Sequence, residues 1–402
     1  MRIAFLTDEF YPTFGANSLV VKTVCEELLR EGHQVYVLPF HEKTNQPKEE
    51  LWQGIRILRQ VPADNMQAVK NTLKKGHIGS ACKLAVNHLQ KKFSSPHNLQ
   101  TKKNLMAEVF LQHWLNSEKI DTVVSINCSV ELSFPLLRLR KKGKLPCNWL
   151  FYMLDPFASH EYYLTHNSEK NLRKLQHEIM TCADGVLATK LIYDDTATWE
   201  EATILQKIRI TEFPKIQQPE QQPCEDDVSL DPAYRHVICT GSKNETVRNS
   251  AYTLALCKQV ADLPIRFHFM GYGWTQGREV VEEGNCLFYP PHSPQAAQNL
   301  QLKCDFLLNI GNGVTNQLPS KVLEYISTGK PVINFYKSET CPAKALLEKA
   351  DALNISEQEP LETQEEPFRT FLTKPHTPAS FEEIEQVYRA YTPNAVVKNF
   401  LY

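Results

Sequence analysis

The stretch Asp305–Phe335 contains a glycine loop, a helix start and a carboxylate at spacings suited to binding an anionic ligand. An apolar run leads into a Gly-Asn-Gly loop, and Pro319 with Ser320 then opens a helical pattern that ends at Gly329. Such a helix start presents unpaired backbone N–H groups and a positive dipole end, which favour phosphate. Glu324 lies about one turn into the helix, where its carboxylate could accept two ribose hydroxyls. The stretch therefore predicts a nucleotide diphosphate site, with an ordinary strand–helix unit as the alternative.

Several familiar catalytic motifs are absent from the sequence. It contains no G-x-x-x-x-G-K-[ST] phosphate loop, no G-x-G-x-x-G, no G-x-S-x-G and no H-E-x-x-H. It also lacks a D-x-D pair, although metal-dependent handling of a nucleotide diphosphate usually needs carboxylates to hold the cation. We therefore expect phosphate binding without a metal and without a bound cofactor.

Composition limits the class of protein. The 402 residues carry 44 Lys plus Arg and 46 Asp plus Glu, so the net charge of −2 argues against a nucleic-acid partner. This length favours two domains over one. The 11 cysteines form no C-x-x-C pair, which predicts reduced thiols in a cytoplasmic protein. The first residues do not resemble a signal peptide, and no run is apolar for the length of a membrane span.

Apolar runs alternate with helical patterns from the first residue onward. The opening predicts a strand, a helix over Leu19–Glu31 and a second strand, which is the parallel strand–helix–strand unit of a doubly wound α/β sheet. A proline- and glutamine-rich stretch at 213–232 then predicts a linker between two such domains. The twelve strands predicted across both halves are Ile3–Thr7, Gln34–Pro39, Ile55–Leu58, Thr122–Asn127, Trp149–Leu154, Gly185–Thr189, Ile208–Ile210, Val237–Thr240, Ile265–Met270, Cys286–Tyr289, Phe306–Asn309 and Pro331–Phe335.

The motif PSKVLEYISTGKPVI at 319–333 resembles the signature of the GT-B glycosyltransferases of the large retaining family 4, the group 1 glycosyl transferases. The opening of the chain, CADGVLATK at 182–190, FHFMGYG at 267–273 and the C-terminal tail also resemble that family. The resemblance implies two Rossmann-like domains with a cleft between them. It implies domains at 1–213 for the acceptor and 214–384 for the nucleotide sugar, and a helical segment at 385–402, interrupted at Pro393, that returns to the first domain.

The resemblance also implies a donor site. Glu324 matches the second acid of the family's Glu-x7-Glu element and would bind the ribose, whereas the first acid is replaced by Asn316. Arg248 and Lys243 would pair with the diphosphate, since cationic side chains match phosphate oxygens. Gly15 matches the family's glycine loop, in which Ala16 replaces the second glycine. The remaining donor residues implied are Gly241, Leu318, Pro319, Ser320 and Lys321.

Residues for the acceptor and the base follow from the same resemblance. Asp155 ends an apolar strand and would orient hydroxyls, while His160 could accept a proton near neutral pH as a second catalytic residue. A structural histidine is the alternative for His160. The loops after two strands of the second domain would bind the base through Gly271, Tyr272, Pro291 and His292.

A lysine-rich stretch lies between Asn65 and Ala107. It holds eight lysines and no acid, which predicts either a solvated helical face or contact with anionic lipid at the inner face of the membrane. The function predicted is metal-independent transfer, with retention, of a sugar from a nucleotide diphosphate, UDP-sugars being favoured, to a glycan, lipid-linked or protein acceptor. The alternatives are an inactive GT-B-like binding or regulatory subunit and a sugar-nucleotide epimerase.

Overall fold

The computed structural model describes residues 1–12, 14–39, 46–59, 102–127, 132–159, 164, 167–243, 249–277, 279–312 and 317–401, with only the backbone for 102–107. The chain forms two compact units. The first contains Met1–Phe213 and Asn394–Tyr402, and the second contains Pro214–Pro393. The sequence places the end of the second domain at 384, whereas the second unit continues to Pro393.

The first unit contains an eight-stranded sheet. Its strands are β1 (Arg2–Thr7), β2 (Gln34–Pro39), β3 (Glu49–Trp52), β4 (Ile55–Leu58), β5 (Thr122–Ile126), β6 (Asn148–Met153), β7 (Gly185–Ala188) and β8 (Ile208–Ile210). They lie in the order β3-β4-β2-β1-β5-β6-β7-β8. The β3–β4 pair is antiparallel and the other pairs are parallel. The described helices are α1 (Ala16–Arg30), α2 (Lys102–Ser117), α3 (Ser133–Lys141), α4 (Glu169–Cys182), α5 (Lys190–Ala197) and α6 (Ala202–Leu205).

The second unit contains a seven-stranded sheet. Its strands are β9 (Arg235–Thr240), β10 (Ile265–Met270), β11 (Val281–Glu283), β12 (Cys286–Tyr289), β13 (Phe306–Ile310), β14 (Val332–Tyr336) and β15 (Ala352–Ser356). They lie in the order β11-β12-β10-β9-β13-β14-β15, with β11–β12 the antiparallel pair. The helices from here to the end of the chain are α7 (Ala251–Gln259), α8 (Pro294–Lys303), α9 (Lys321–Ser327), α10 (Pro342–Leu347), α11 (Leu361–Thr373), α12 (Phe381–Val387) and α13 (Pro393–Val397), with 3-10 turns at Arg389–Tyr391 and Lys398–Phe400.

All twelve strands predicted from apolar runs are present, which confirms the α/β fold class. Strands of this kind are buried on both faces by helices, so their side chains are apolar without alternation. Three further strands escaped prediction because they lack that pattern. β3 and β11 are exposed antiparallel edge strands, and β15 carries a polar Asn354 at its centre.

Helix ends differ from the predicted ones by short distances. Helix α1 begins at Ala16 because Gly15 is its N-cap, where the Gly15 N–H donates to the Ser18 hydroxyl at 2.7 Å. Helix α9 begins at Lys321, with Ser320 as its N-cap. At the C-terminus Pro393 begins a helix and follows a 3-10 turn, because proline fits the first helical position, where no N–H partner is needed.

The strand order reverses once in each sheet. Leaving out the antiparallel edge strand, each sheet starts from a central first strand, grows to one side and then continues on the other. The reversal falls between β1 and β5 in the first unit and between β9 and β13 in the second. Ligands of open parallel sheets bind beyond the carboxyl ends of the strands at this reversal. A ligand is therefore expected at the loops that follow these four strands.

Three aspartates stand directly before a strand and bind the start of the neighbouring strand in the same way. The Oδ2 of each aspartate accepts the backbone N–H of one residue at the start of the adjacent strand, at 2.7–2.8 Å. Each also donates its own N–H to the carbonyl of that same residue, at 2.8–3.0 Å. The pairs are Asp121 with Arg2, Asp184 with Trp149, and Asp305 with His236. The paired hydrogen bonds fix where two strands begin relative to each other.

A chain of hydrogen bonds between buried rings crosses β9, β10 and β12. The His236 Nε2 lies 2.9 Å from the carbonyl oxygen of Asp231, so this nitrogen donates. His236 Nδ1 then accepts from His268 Nε2 at 2.9 Å, and His268 Nδ1 accepts from the Tyr289 hydroxyl at 3.0 Å. His268 is neutral in this arrangement. Burial, with the charges of His236 and Arg266, lowers the pKa of His268 to about 3.

This histidine makes the stability of the second unit dependent on pH. His268 stays neutral in the folded protein down to about pH 3, whereas in the unfolded chain it binds a proton below its ordinary pKa of about 6.5. The contribution of neutral His268 to the free energy of unfolding is therefore complete above about pH 6.5. It is lost as pH falls, by up to ~1.4 kcal/mol per pH unit. Urea unfolding at a series of pH values should show a shallower decline for His268→Gln than for the wild type. Parallel declines would contradict this assignment.

Candidate functional site

The carboxyl end of β9 is joined to helix α9 at the strand reversal of the second unit. The backbone N–H of Thr240 donates to the Tyr325 hydroxyl at 2.9 Å, and that hydroxyl donates to the Thr240 carbonyl at 3.2 Å. The Thr240 hydroxyl lies 3.0 Å from the Tyr325 hydroxyl oxygen, and it accepts a hydrogen bond from the Gln301 side-chain amide at 2.9 Å. Tyr325 is buried, so these bonds fix the loop after β9 against α9.

A small pocket lies at this junction and gathers three of the predicted donor residues. Gly241 and Lys243 come from the loop after β9, and Lys321 is the first residue of α9. The other lining residues are Cys239, Thr240, Ser242, Trp274, Leu308, Asn309, Ile310 and Tyr325. Two ammonium groups beside backbone at the end of a parallel sheet are suited to an anionic ligand.

The loop after β10 packs backbone to backbone against the loop after β9. The N–H of Lys243 donates to the Tyr272 carbonyl at 2.7 Å, and the Trp274 indole donates to the Gly241 carbonyl at 2.8 Å. Gly271 has a φ of 147°, and a Cβ there would lie 2.3 Å from the Gly241 carbonyl oxygen. The glycine is therefore required by this contact as well as by its φ.

Tyr272 and His292 were predicted to bind the base, together with Gly271 and Pro291. Tyr272 is 71% exposed, and the Nδ1 of His292 donates to the Pro290 carbonyl at 2.8 Å. Gly271 is committed to the close contact between the two loops. The base-binding roles stay predictions.

The carboxylate of Glu324 lies between two lysines. Its Oε1 is 3.1 Å from the Lys215 ammonium, and its Oε2 is 2.8 Å from the Lys321 ammonium. Burial opposes the charge of Glu324, but the ammonium groups of Lys321 and Lys215 outweigh it and hold the pKa of this carboxyl below its ordinary value. Glu324 is therefore a carboxylate at neutral pH and can accept hydrogen bonds from hydroxyls.

The residues ahead of α9 form a tight turn. The carbonyl of Pro319 accepts the Val322 N–H at 3.0 Å, and the Ser320 carbonyl accepts the Leu323 N–H at 3.2 Å. Leu318 is buried. The Ser320 hydroxyl makes no capping bond within the helix. Phosphate contacts by Leu318, Pro319 and Ser320 stay predictions.

In the first unit, Asp155 is held by residues that follow two other strands. Its Oδ2 accepts from the Asn17 side chain at 3.0 Å, and Asn17 lies in the first turn of α1. Asn127 directly follows β5, and its side chain binds the backbone just beyond β6. Its Oδ1 accepts the N–H of Leu154 at 2.8 Å and that of Asp155 at 3.3 Å. Its Nδ2 donates to the Asp155 carbonyl. The start of α1 and the ends of β5 and β6 thus place a carboxylate and two amides together.

Gly15 has an acidic neighbour. A Cβ on Gly15 would lie 2.5 Å from Glu9 Oε1, and the Gly15 N–H already donates to Ser18. The donor role of Gly15 stays a prediction.

Four predictions fall outside the described residues. His160, Arg248 and Asn316 belong to them, and so does the lysine-rich stretch, of which 65–101 is not described and 102–107 is described as backbone only.

Sequence reasoning missed residues whose partners are distant along the chain. Lys215 sits in the proline-rich connector, and Asn17 and Asn127 carry no motif. Lys330, in contrast, is part of the recognised motif but has a structural task, since its ammonium donates to the carbonyls of Leu302 and Cys304 at the end of α8. The signal that could have found Asn127 is its place as the last residue of a predicted strand.

Comparison with solved structures identifies the fold. Sucrose-phosphate synthase from Thermosynechococcus elongatus superposes with a TM-score of 0.63 and 12% identity, over 99% of this chain and 97% of that one. The lipopolysaccharide outer core galactosyltransferase WaaB gives 0.57 and 15%, over 100% and 98%. A putative UDP-N-acetylglucosamine 2-epimerase from Listeria monocytogenes gives 0.54 and 10%, over 100% and 94%. The chain therefore has the GT-B fold, as the resemblance implied.

No protein-family model matches the sequence, and no curated protein matches it. Among the described residues, no helix has the length and apolarity needed to cross a membrane.

The close approach of the two glycine loops can be tested by adding one methyl group. Gly271→Ala should lower the free energy of unfolding by about 1–3 kcal/mol, because the new Cβ forces the loop away from Gly241. Gly277→Ala is the matched control, since the nearest atom to its Cβ is the Glu279 nitrogen at 4.0 Å. Urea unfolding followed by circular dichroism measures both. Equal stability of the two variants would contradict the contact.

Proposed function

We propose that the protein is a glycosyltransferase that moves a sugar from a nucleotide diphosphate to an acceptor. The observation that carries the proposal is the ionised Glu324 between two lysines, next to a pocket with two ammonium groups at the strand reversal of the second unit. The GT-B fold supports this reading because two of the solved structures named above are glycosyltransferases. A metal-independent hexosyltransferase using a UDP-sugar is the favoured form.

The second unit would bind the donor through residues at its strand reversal. Glu324 would accept hydrogen bonds from the ribose hydroxyls, because an ionised carboxylate is an acceptor only. Lys243 and Lys321 would pair with the diphosphate, where Arg248 is proposed as a further cation. Lys243 also lies with its ammonium 5.8 Å from the centre of the Trp274 ring, a distance typical of a cation–π contact.

Catalysis would be mainly electrostatic. As the bond between sugar and diphosphate breaks, negative charge grows on the leaving phosphate, and fixed cations stabilise that charge more in the transition state than in the ground state. Lys243 and Lys321 are the described residues suited to this task. Retention at the sugar carbon is proposed from the resemblance alone.

The first unit would bind the acceptor. Asp155 is the proposed group for an acceptor hydroxyl, because one carboxylate oxygen is fixed by Asn17 at 3.0 Å and a carboxylate can accept a hydroxyl proton. His160 is the second proposed catalytic group. The acceptor would be a glycan, a lipid-linked sugar or a protein, and the reaction would be a step of glycan biosynthesis. With a lipid-linked acceptor, the lysine-rich stretch would bring a cytoplasmic protein to the anionic inner face of the membrane.

A catalytically inactive binding or regulatory subunit is the second candidate. It is favoured by Asn316 and Ala16, which stand where the family has an acid and a glycine. An epimerase is a third reading, because one solved structure of this fold is a putative epimerase. The three candidates differ in what happens to the sugar.

Calorimetric titration of the metal-free protein with UDP, GDP, ADP and dTDP tests the donor site. One nucleotide should bind, and Glu324→Ala should weaken its binding by at least about tenfold, since ~1.4 kcal/mol is the scale of a lost hydrogen bond to a charged group. Glu366→Ala is the matched control, as a helical glutamate on α11, away from the pocket residues. Failure of all four nucleotides to bind would overturn the proposal.

Turnover of the corresponding nucleotide sugars separates the candidates. A transferase releases nucleoside diphosphate and extends an acceptor, an epimerase changes the sugar, and an inactive subunit does neither. Release that requires an acceptor, measured by product analysis, is the result expected for the enzyme proposed here.

A further inference from the structure

The first residues of the connector between the two units are attached to helix α9 at two points. Lys215 follows the end of the first unit by two residues, yet its side chain is only 11% exposed. Its ammonium lies 3.1 Å from Glu324 Oε1, and its backbone carbonyl accepts the Ser327 hydroxyl at 3.2 Å. Lys215 is therefore a fixed neighbour of Glu324 from a different part of the chain.

The two lysines that flank Glu324 differ in their freedom. Lys321 is 36% exposed and lines the pocket, so its ammonium can turn toward a ligand there. Lys215 is buried by the connector and by α9 and is absent from the pocket lining. If a diphosphate drew Lys321 away, Glu324 Oε2 would become free, while Oε1 would stay bound to Lys215.

We propose that Lys215 is a positioning residue of the nucleotide site, which holds one oxygen of the Glu324 carboxylate so that the other accepts the ribose hydroxyls. This inference rests on the proposed nucleotide-binding function and adds a residue to it. Lys215 does not touch the ligand. It acts through Glu324, and it keeps that carboxylate charged after Lys321 has moved to the phosphates.

The charges around Glu324 predict how the loss of Lys215 would be felt. Burial raises the pKa of Glu324, and the cations of Lys321 and Lys215 lower it below the ordinary value. The other titratable group facing it among the described residues is the Tyr325 phenol, whose pKa is raised by burial. With Lys215 replaced and Lys321 on the diphosphate, burial would act unopposed and Glu324 would protonate at a higher pH.

Nucleotide affinity as a function of pH tests the inference. The titration uses whichever of UDP, GDP, ADP and dTDP binds the wild type most tightly. It is carried out between about pH 4.5 and pH 8 on the wild type and on two variants, Lys215→Met and Lys215→Arg. The methionine variant should bind about tenfold more weakly near pH 7 and should lose binding on the acid side at a higher pH than the wild type. The arginine variant should restore both the affinity and the acid limb, because it replaces the cation.

Ser327→Ala is the matched control, since it removes the hydroxyl from the Lys215 carbonyl but leaves both ion pairs of Glu324 in place. It should bind as the wild type does. Near-ultraviolet circular dichroism checks that each variant is folded, and Lys215→Gln takes the place of the methionine variant if that one does not fold.

Three results would overturn the inference, and they have different meanings. If no nucleotide binds the wild type, the proposed function fails and the role of Lys215 falls with it. If a nucleotide binds and needs Glu324, but Lys215→Met keeps the wild-type affinity and pH limb, the donor site stands and the positioning role is wrong. If Ser327→Ala weakens binding as much as Lys215→Met, packing of the connector is responsible and not the ammonium group.

Discussion

The contact between the Tyr325 hydroxyl and Thr240 is the interaction on which the second unit's site depends. One side-chain oxygen takes part in hydrogen bonds with the backbone N–H, the carbonyl and the hydroxyl of the last residue of β9. Because these groups are buried, leaving any of them unpaired would cost about 1–3 kcal/mol. The bonds therefore hold the loop that carries Lys243 and the helix that carries Lys321 and Glu324 in one arrangement.

Around that contact the site is formed largely by backbone. The loops after β9 and β10 exchange hydrogen bonds through main-chain groups, and the second has glycines at 271 and 273 with positive φ. A Cβ at Gly273 would lie 2.8 Å from the Lys243 carbonyl oxygen, which is also too close, although less so than the 2.3 Å contact at Gly271. Small residues are thus needed on one loop so that the cation on the other keeps its place. These glycines therefore support the pocket.

The fold could be predicted from the sequence much further than the site. Buried parallel strands leave continuous apolar runs, so β1, β9 and β13 were found from a single chain. Glu324 and Lys321 were found because one helix holds them in a recognisable motif. Lys215 and Asn127 were not found, because what makes each of them matter is a partner 109 and 28 residues away along the chain. Such a pairing depends on the order of the strands in the sheet and on where the connector packs. The spacing of apolar residues in the sequence predicts neither of these.

The aspartates that precede strands give the two units a common construction. Asp121 and Asp305 occupy equivalent places, each ahead of the strand that lies beside the first strand of its sheet. The strands that follow them, β5 and β13, are five residues long, about 17 Å at the usual rise. A carboxylate at the amino end of a strand thereby fixes the register of that strand. The register in turn sets where the chain leaves the sheet at the carboxyl end, where ligands of such sheets bind. Selection for binding at one end of the sheet must then also act on acidic residues that no ligand ever reaches.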